Sequence, residues 1–158
     1  MASFLQAFIT LEEVGAGYGV RPGSVAETYA GISRQHSSTW EGWEILDKIN
    51  DKRELCIVIK KVLDTLVFEY YKTIWDTMEG TSIESQRVAT SLLQIAVALG
   101  VPKTITVIQK IVRIPDTGMM DFWTITKLNA IDEEWLLVEL AARHERHRLI
   151  LTARYSQD

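Results

Sequence analysis

The chain has 158 residues, three prolines and one cysteine, a length that suits one domain with a core of its own. Hydrophobic residues make up 47% and charged residues 24%, the balance of a soluble globule rather than of a disordered or fibrous chain. A net charge of −4 excludes the global basic field that nucleic acid demands, and no uninterrupted apolar run is long enough for a membrane span.

In chain order, Ser3 is a suitable N-cap for a helix whose apolar positions Phe4, Phe8 and Leu11 follow i, i+4, i+7 spacing. That helix is expected to end in Glu12 and Glu13. Gly15, Gly17, Gly19, Pro22 and Gly23 then break regular structure, and a glycine cluster of this kind predicts tight turns beside a cleft. Strand-like alternation is almost absent from the whole chain. A short aromatic helix follows, with Trp40, Trp43 and Leu46 on its inner side.

Asp51 and Glu54 have capping-box spacing and predict the start of a long helix reaching about Trp75. Its apolar residues Leu55, Val58, Ile59, Val62, Leu63, Leu66, Tyr70 and Ile74 predict a wide buried stripe. Cys56 falls within that stretch and is expected to be a small core residue. Thr81 and Glu84 repeat the capping-box spacing before a helix through Val88, Leu92, Ile95 and Leu99. Gly100 would close that helix and Pro102 open the next, with Val107, Ile108, Ile111 and Val112 facing inward. A turn at Pro115–Gly118, a short helix over Phe122–Asn129 and a last helix capped by Asp132 complete the chain. The fold class is mainly α, a single compact domain without internal repeats.

Arg143, His144, Arg146, His147, Arg148 and Arg154 crowd the C-terminal end. Such cations ordinarily offset a helix macrodipole at a solvated terminus; the sharper alternative is a patch for an anionic polymer or a partner protein. The first residues show no basic start and small-residue cleavage site of a secretory signal, so synthesis in a reducing cytoplasm is the expectation.

Three separated blocks carry a resemblance. The first comprises Tyr18, Pro22, Glu27-Thr28-Tyr29, Gly31-Ile32-Ser33-Arg34 and Trp40-Glu41-Gly42-Trp43-Glu44-Ile45. The second is Tyr70-Tyr71-Lys72 through Trp75-Asp76. The third runs from Gln109 to Asn129, matching at Gly118, Thr124, Leu128 and Asn129, and continues to Asp132. In this order the blocks resemble the glycosyl hydrolase family 108 lysozymes, the secretion-activator-type muramidases. The resemblance implies a lysozyme-like helical domain, with residues 1–100 as the catalytic-type region and 101–158 as a peptidoglycan-binding-like segment packed into the same domain. It further implies peptidoglycan as substrate, cleavage of the β-1,4 link after N-acetylmuramic acid, and no metal or cofactor. Family members serve phage lysis or help secreted proteins and injection machines pass the cell wall. The implied site of action is therefore the cell wall or periplasm, or a virion or injection particle, with phage-tail or injection-system proteins as partners.

The chain departs from the family where a cleft would be lined. The Glu-Gly-Gly-Tyr motif is replaced by Glu12-Glu13-Val14-Gly15-Ala16-Gly17-Tyr18, and Gly-Gly before Glu27 by Val25-Ala26. Gln94 and Ala98 stand where the family has Asp and Asn in its central helix, and Asp121-Phe122 replace a Gly-Pro.

Glycoside cleavage needs a proton donor at the leaving oxygen and stabilisation of an oxocarbenium-like transition state. The C-terminal end of a helix favours the protonated form of a carboxyl group, and both Glu12 and Glu13 are expected there. Helical phase from Leu5, Phe8 and Ile9 favours Glu12 as the acid, whereas closeness to the glycines favours Glu13. A solvated helix end explains either residue without catalysis. The substrate-binding candidates are Tyr18, Glu27, Thr28, Tyr29 and Gln94. Thr28 could hold a water or orient a sugar, or satisfy nearby backbone; the tyrosines could stack on sugars or close the core. Two functional readings follow, a muramidase and a catalytically inactive lysozyme-like module that binds glycan or builds a particle. A third is a helical adaptor that uses the basic C-terminal end.

Overall fold

The computed structural model describes residues 1–20 and 26–155, and of residues 147–155 the backbone alone. The elements in order are α1 (Phe4–Thr10), a 3-10 turn (Glu12–Gly15), strands β1 (Tyr18–Val20), β2 (Glu27–Tyr29) and β3 (Ile32–Ser33), then α2 (Gly42–Leu46) and α3 (Ile57–Thr77). A second 3-10 turn (Gly80–Ser82) leads to α4 (Gln86–Leu99), α5 (Val101–Ile111), α6 (Phe122–Ala130) and α7 (Glu133–Tyr155). Pro22, Gly23 and Val25 of the glycine-rich stretch lie outside the described residues.

Helix α4 is the centre of the domain. Val88, Ala89, Leu92, Leu93, Ile95 and Ala96 are all buried, so its apolar surface extends around most of the helix. It is packed by α1, α3, α5 and α7 and touched by β3. Gly100 closes it with φ +88, and Pro102 lies in the first turn of α5, as expected. The inner face of α5 carries Ile105, Ile108 and Ile111, with Val107 and Val112 half-buried at its margins.

The capping boxes are not formed where their spacing predicts them. Asp51 instead accepts from the Arg53 backbone N–H at 3.0 Å, a local turn that competes with helix initiation, and α3 begins only at Ile57. Cys56 is its N-cap residue and is exposed rather than buried in the core. The buried stripe of α3 is Leu63, Val67, Tyr71 and Trp75, one residue per turn, while Val58 and Val62 are exposed. Of the predicted stripe, Leu55, Ile59, Leu66, Tyr70 and Ile74 are half-buried against the core, and Val58 and Val62 are the members that face outward. Likewise Thr81 accepts from Trp75 Nε1 at 3.0 Å and α4 is capped by Ser85, whose hydroxyl accepts from the Val88 N–H. Gly80 is required there: a Cβ would lie 2.4 Å from the Trp75 ring.

Aromatic edges join α1 to α3. The ring centroids of Phe4 and Phe8 are 5.1 and 5.2 Å from that of Phe68, and Phe8 is 5.6 Å from Tyr71, distances at which edge-to-face pairs add to area burial. The Gln86 side chain fixes the other end of α1, accepting from Ser3 N at 2.7 Å and donating to Ser3 O at 3.1 Å.

The glycine-rich stretch holds strands, contrary to the reading of no regular structure. β1, β2 and β3 form an antiparallel meander with Tyr18 opposite Tyr29 and Thr28 opposite Ser33. Ala30 and Gly31, at φ +48 and +81, make the two-residue turn between β2 and β3, where positive φ at both positions matches strand twist.

The four C-terminal residues that carry the resemblance hold the scaffold together. The Gly118 N–H donates to Gln109 Oε1, and Gln109 Nε2 lies 3.0 Å from Thr124 Oγ1. Asn129 accepts from Glu84 N and donates to Ser82 O, and Leu128 is buried. At the basic end, Arg143 reaches Glu139 at 3.8 Å and Arg146 is exposed; the side chains of His147, Arg148 and Arg154 lie outside the described residues.

If α4 is the centre, Leu92→Ala should lower the unfolding free energy by about 2–5 kcal/mol, because a cavity there is walled by helices on several sides. Urea denaturation checks this; a loss well under 1 kcal/mol would contradict it.

Candidate functional site

The site begins with the backbone of Leu11. This residue is extended, at φ −80 and ψ 115, so α1 stops at Thr10 and the following 3-10 turn starts in a new direction. Helical phase cannot be counted across an extended residue, and the ranking of Glu12 by phase loses its basis. Glu12 is exposed, and Glu13 is half-buried.

Glu13 is held on two sides. Gln94, on α4, donates from Nε2 to Glu13 Oε1 at 2.7 Å. On the other side lies the β2–β3 turn, where a Cβ on Gly31 would be 2.9 Å from Glu13 Cβ and 2.7 Å from the Tyr71 hydroxyl. Only glycine allows that approach at a positive φ. Tyr71 on α3 donates to the Ala30 carbonyl at 2.7 Å and so fixes the turn against the helix. Burial, then the Glu13 charge, then Tyr70 push the Tyr71 phenol well above its ordinary range, so it remains a neutral donor.

Glu27 has a different environment. Its carboxylate is 3.2 Å from Arg34 Nη1 and 3.4 Å from Lys52 Nζ. Arg34 also grips Asp47 with both terminal nitrogens, at 2.7 and 2.6 Å, the bidentate geometry of a strong pair. That contact lowers Asp47 and raises Arg34 from their usual values. The result is a two-acid, two-base network along the hairpin and the loop that precedes α3.

The hairpin tyrosines divide. Tyr29 is buried and stacks on Trp40 at 5.9 Å and 23°, which places it in the core rather than on a sugar-facing surface; burial also raises its phenol. Tyr18 is half-buried with Lys52 Nζ 5.5 Å from its ring centre. Thr28 is half-buried, and its hydroxyl is 3.4 Å from the Gly19 carbonyl, a long and weak contact.

The structure therefore brings Glu13 and Gln94 into direct contact and leaves Glu12 outside that contact. Glu27 is engaged in ion pairs of its own. Residue-by-residue reading missed Tyr71 and Gly31 as parts of the Glu13 setting. Both lie within the blocks that carry the resemblance, which was the available signal. Among the described residues, no three His, Cys, Asp or Glu side chains are grouped to hold a metal, and no helix is long and apolar enough to cross a membrane.

The fold is similar to that in the structure of Brucella abortus SagA, with a TM-score of 0.67 over 98% of this chain and 90% of that one, at 19% identity. At that identity the likeness establishes the architecture. No protein-family model matches the sequence, and no curated protein matches it.

The raised Tyr71 phenol has a sign in the stability profile. The unfolded chain releases this proton near 10.0 while the folded chain retains it, so above that pH the native state binds more protons and stability falls as pH rises. Tyr71→Phe should be less stable near neutrality through loss of the Ala30 bond. Its further decline between about pH 9 and pH 11 should be shallower than that of the wild type, as read by urea denaturation at each pH. Parallel declines would contradict the assignment.

Proposed function

We propose that the chain is a peptidoglycan-directed, lysozyme-like domain that hydrolyses the β-1,4 link after N-acetylmuramic acid, with Glu13 as the proton donor. The observation that carries this reading is the Gln94–Glu13 bond, which holds one half-buried carboxyl group between the central helix and a glycine turn. The N-terminal resemblance and the SagA-like architecture support it.

Gln94 suits a residue that must work in two protonation states. Its NH2 group donates to a carboxylate, and its carbonyl can accept from a carboxylic acid once the amide is turned over. It can therefore orient Glu13 before and after proton transfer to the leaving oxygen. Glu27 is committed to Arg34 and Lys52, so in this reading water rather than a second carboxylate attacks the oxocarbenium-like centre, and the proton it sheds returns through solvent to the Glu13 carboxylate left by donation to the leaving oxygen. Thr28 is the hydroxyl suited to hold that water. Action at the cell wall, in phage lysis or beside a secretion or injection machine, follows from the same reading.

A second reading is favoured by the compensated Glu27 and the buried Tyr29. With those groups turned to structural use, the domain would bind glycan or build a phage-tail or injection particle without cutting.

The deciding assay is muropeptide release from purified sacculi. Glu13→Gln should reduce release by at least ~100-fold, the lower end of what a general acid supplies, whereas Glu12→Gln should change it by less than about twofold. Sacculus binding by a wild type that releases nothing would establish the second reading instead.

A further inference from the structure

A cavity of about 250 Å³ lies between the C-terminal half of α3, the end of α4 and the loop after β3. That is far more than the ~10–15 Å³ needed by one water. Its walls include Ile74, Ala96, Val97 and Val101, and its polar feature is a pair of hydroxyls, Ser37 Oγ and Tyr70 OH, 2.7 Å apart. His36 is exposed and lies at the same cavity; among the described residues no carboxylate, lysine or arginine lines it. A second cavity, between α4, α6 and α7, has Glu84 and Glu133 in its lining. The Ser37–Tyr70 cavity therefore suits a neutral group with an apolar part.

The hydroxyl pair narrows the chemistry. Two hydroxyls bonded to each other use one of their two hydrogens, leaving one hydrogen to donate and lone pairs to accept. A secondary amide offers the matching set, a carbonyl that accepts and an N–H that donates. An attached methyl group would then meet Ile74, Ala96 and Val97, where apolar contact is favourable.

The cavity and the Glu13 site share the helices α3 and α4. Val97 lies one helical turn beyond Gln94 on α4, and the Tyr70 ring is 5.9 Å from that of Tyr71, whose hydroxyl holds the turn beside Glu13.

From this arrangement we infer that the Ser37–Tyr70 cavity is a subsite for the acetamido group of an N-acetylated amino sugar. It would anchor a glycan strand alongside Glu13. The inference rests on the glycan-directed reading above but not on hydrolysis.

The test is a titration of the isotope-labelled full chain with the trimer of N-acetylglucosamine and, separately, with its de-N-acetylated counterpart, followed by amide chemical shifts. The expected result is a set of shifts centred on Ser37, Tyr70 and Val97, with the de-N-acetylated trimer at least about tenfold weaker, the value of one good hydrogen bond. Val97→Phe, which fills the cavity, should weaken binding of the acetylated trimer by a similar factor, and so should Tyr70→Phe if the larger substitution does not fold. Equal affinity for the two sugars, or shifts confined to other surfaces, would overturn the assignment. Trimer binding at this cavity by a protein inert towards sacculi would uphold the subsite and reject hydrolysis. Muropeptide release with the trimer bound elsewhere would do the reverse.

Discussion

The burial of α4 is the constraint on which the rest of the structure depends. A helix with apolar residues around most of its circumference is stable only when other elements cover it, and α1, α3, α5 and α7 do so. Their positions around α4 determine where loops can run. The 3-10 turn that carries Glu13 meets α4 at Gln94, and the β2–β3 turn packs against Glu13 and against Tyr71 of α3. The candidate site is thus a consequence of how the core is covered.

Aromatic residues make that arrangement specific. Trp75 fills the bend between α3 and α4, which is why Gly80 has no room for a Cβ and why Thr81 serves the indole N–H instead of a helix cap. Tyr71, one turn earlier on α3, has the same relation to Gly31 and Ala30. In both places a large ring on α3 requires a glycine opposite it, and a hydrogen bond fixes the contact. Such contacts tolerate little change in volume, so the two turns have one geometry each.

The candidate residues differ in how their polar groups are partnered. Glu27 is stabilised by Arg34 and Lys52 in an ion-pair network that joins the hairpin to the loop before α3. Among the described residues, Glu13 is bonded to a neutral partner, an amide able to serve either protonation state. The lysozyme-like reading therefore concentrates on one carboxyl group, one amide and a neighbouring uncharged cavity. The binding-module reading uses the same cavity without proton transfer. Both make α4 the wall shared by all of these features.

The sequence alone determined the mainly helical class, the stops at Gly100 and Pro102, the C-terminal helices and Asp132 as the cap of α7, because local backbone preferences set these features. Three-residue strands were too short to show a period, and the capping boxes misled because Asp51 and Thr81 had other partners. That Glu13 and not Glu12 contacts Gln94 depended on a residue 81 positions away. The fates of Glu27 and Tyr29 depended on Arg34, Lys52 and Trp40. Tertiary structure alone decided these matters, because which of several chemically equivalent side chains is buried, paired or free depends on contacts that no local pattern encodes.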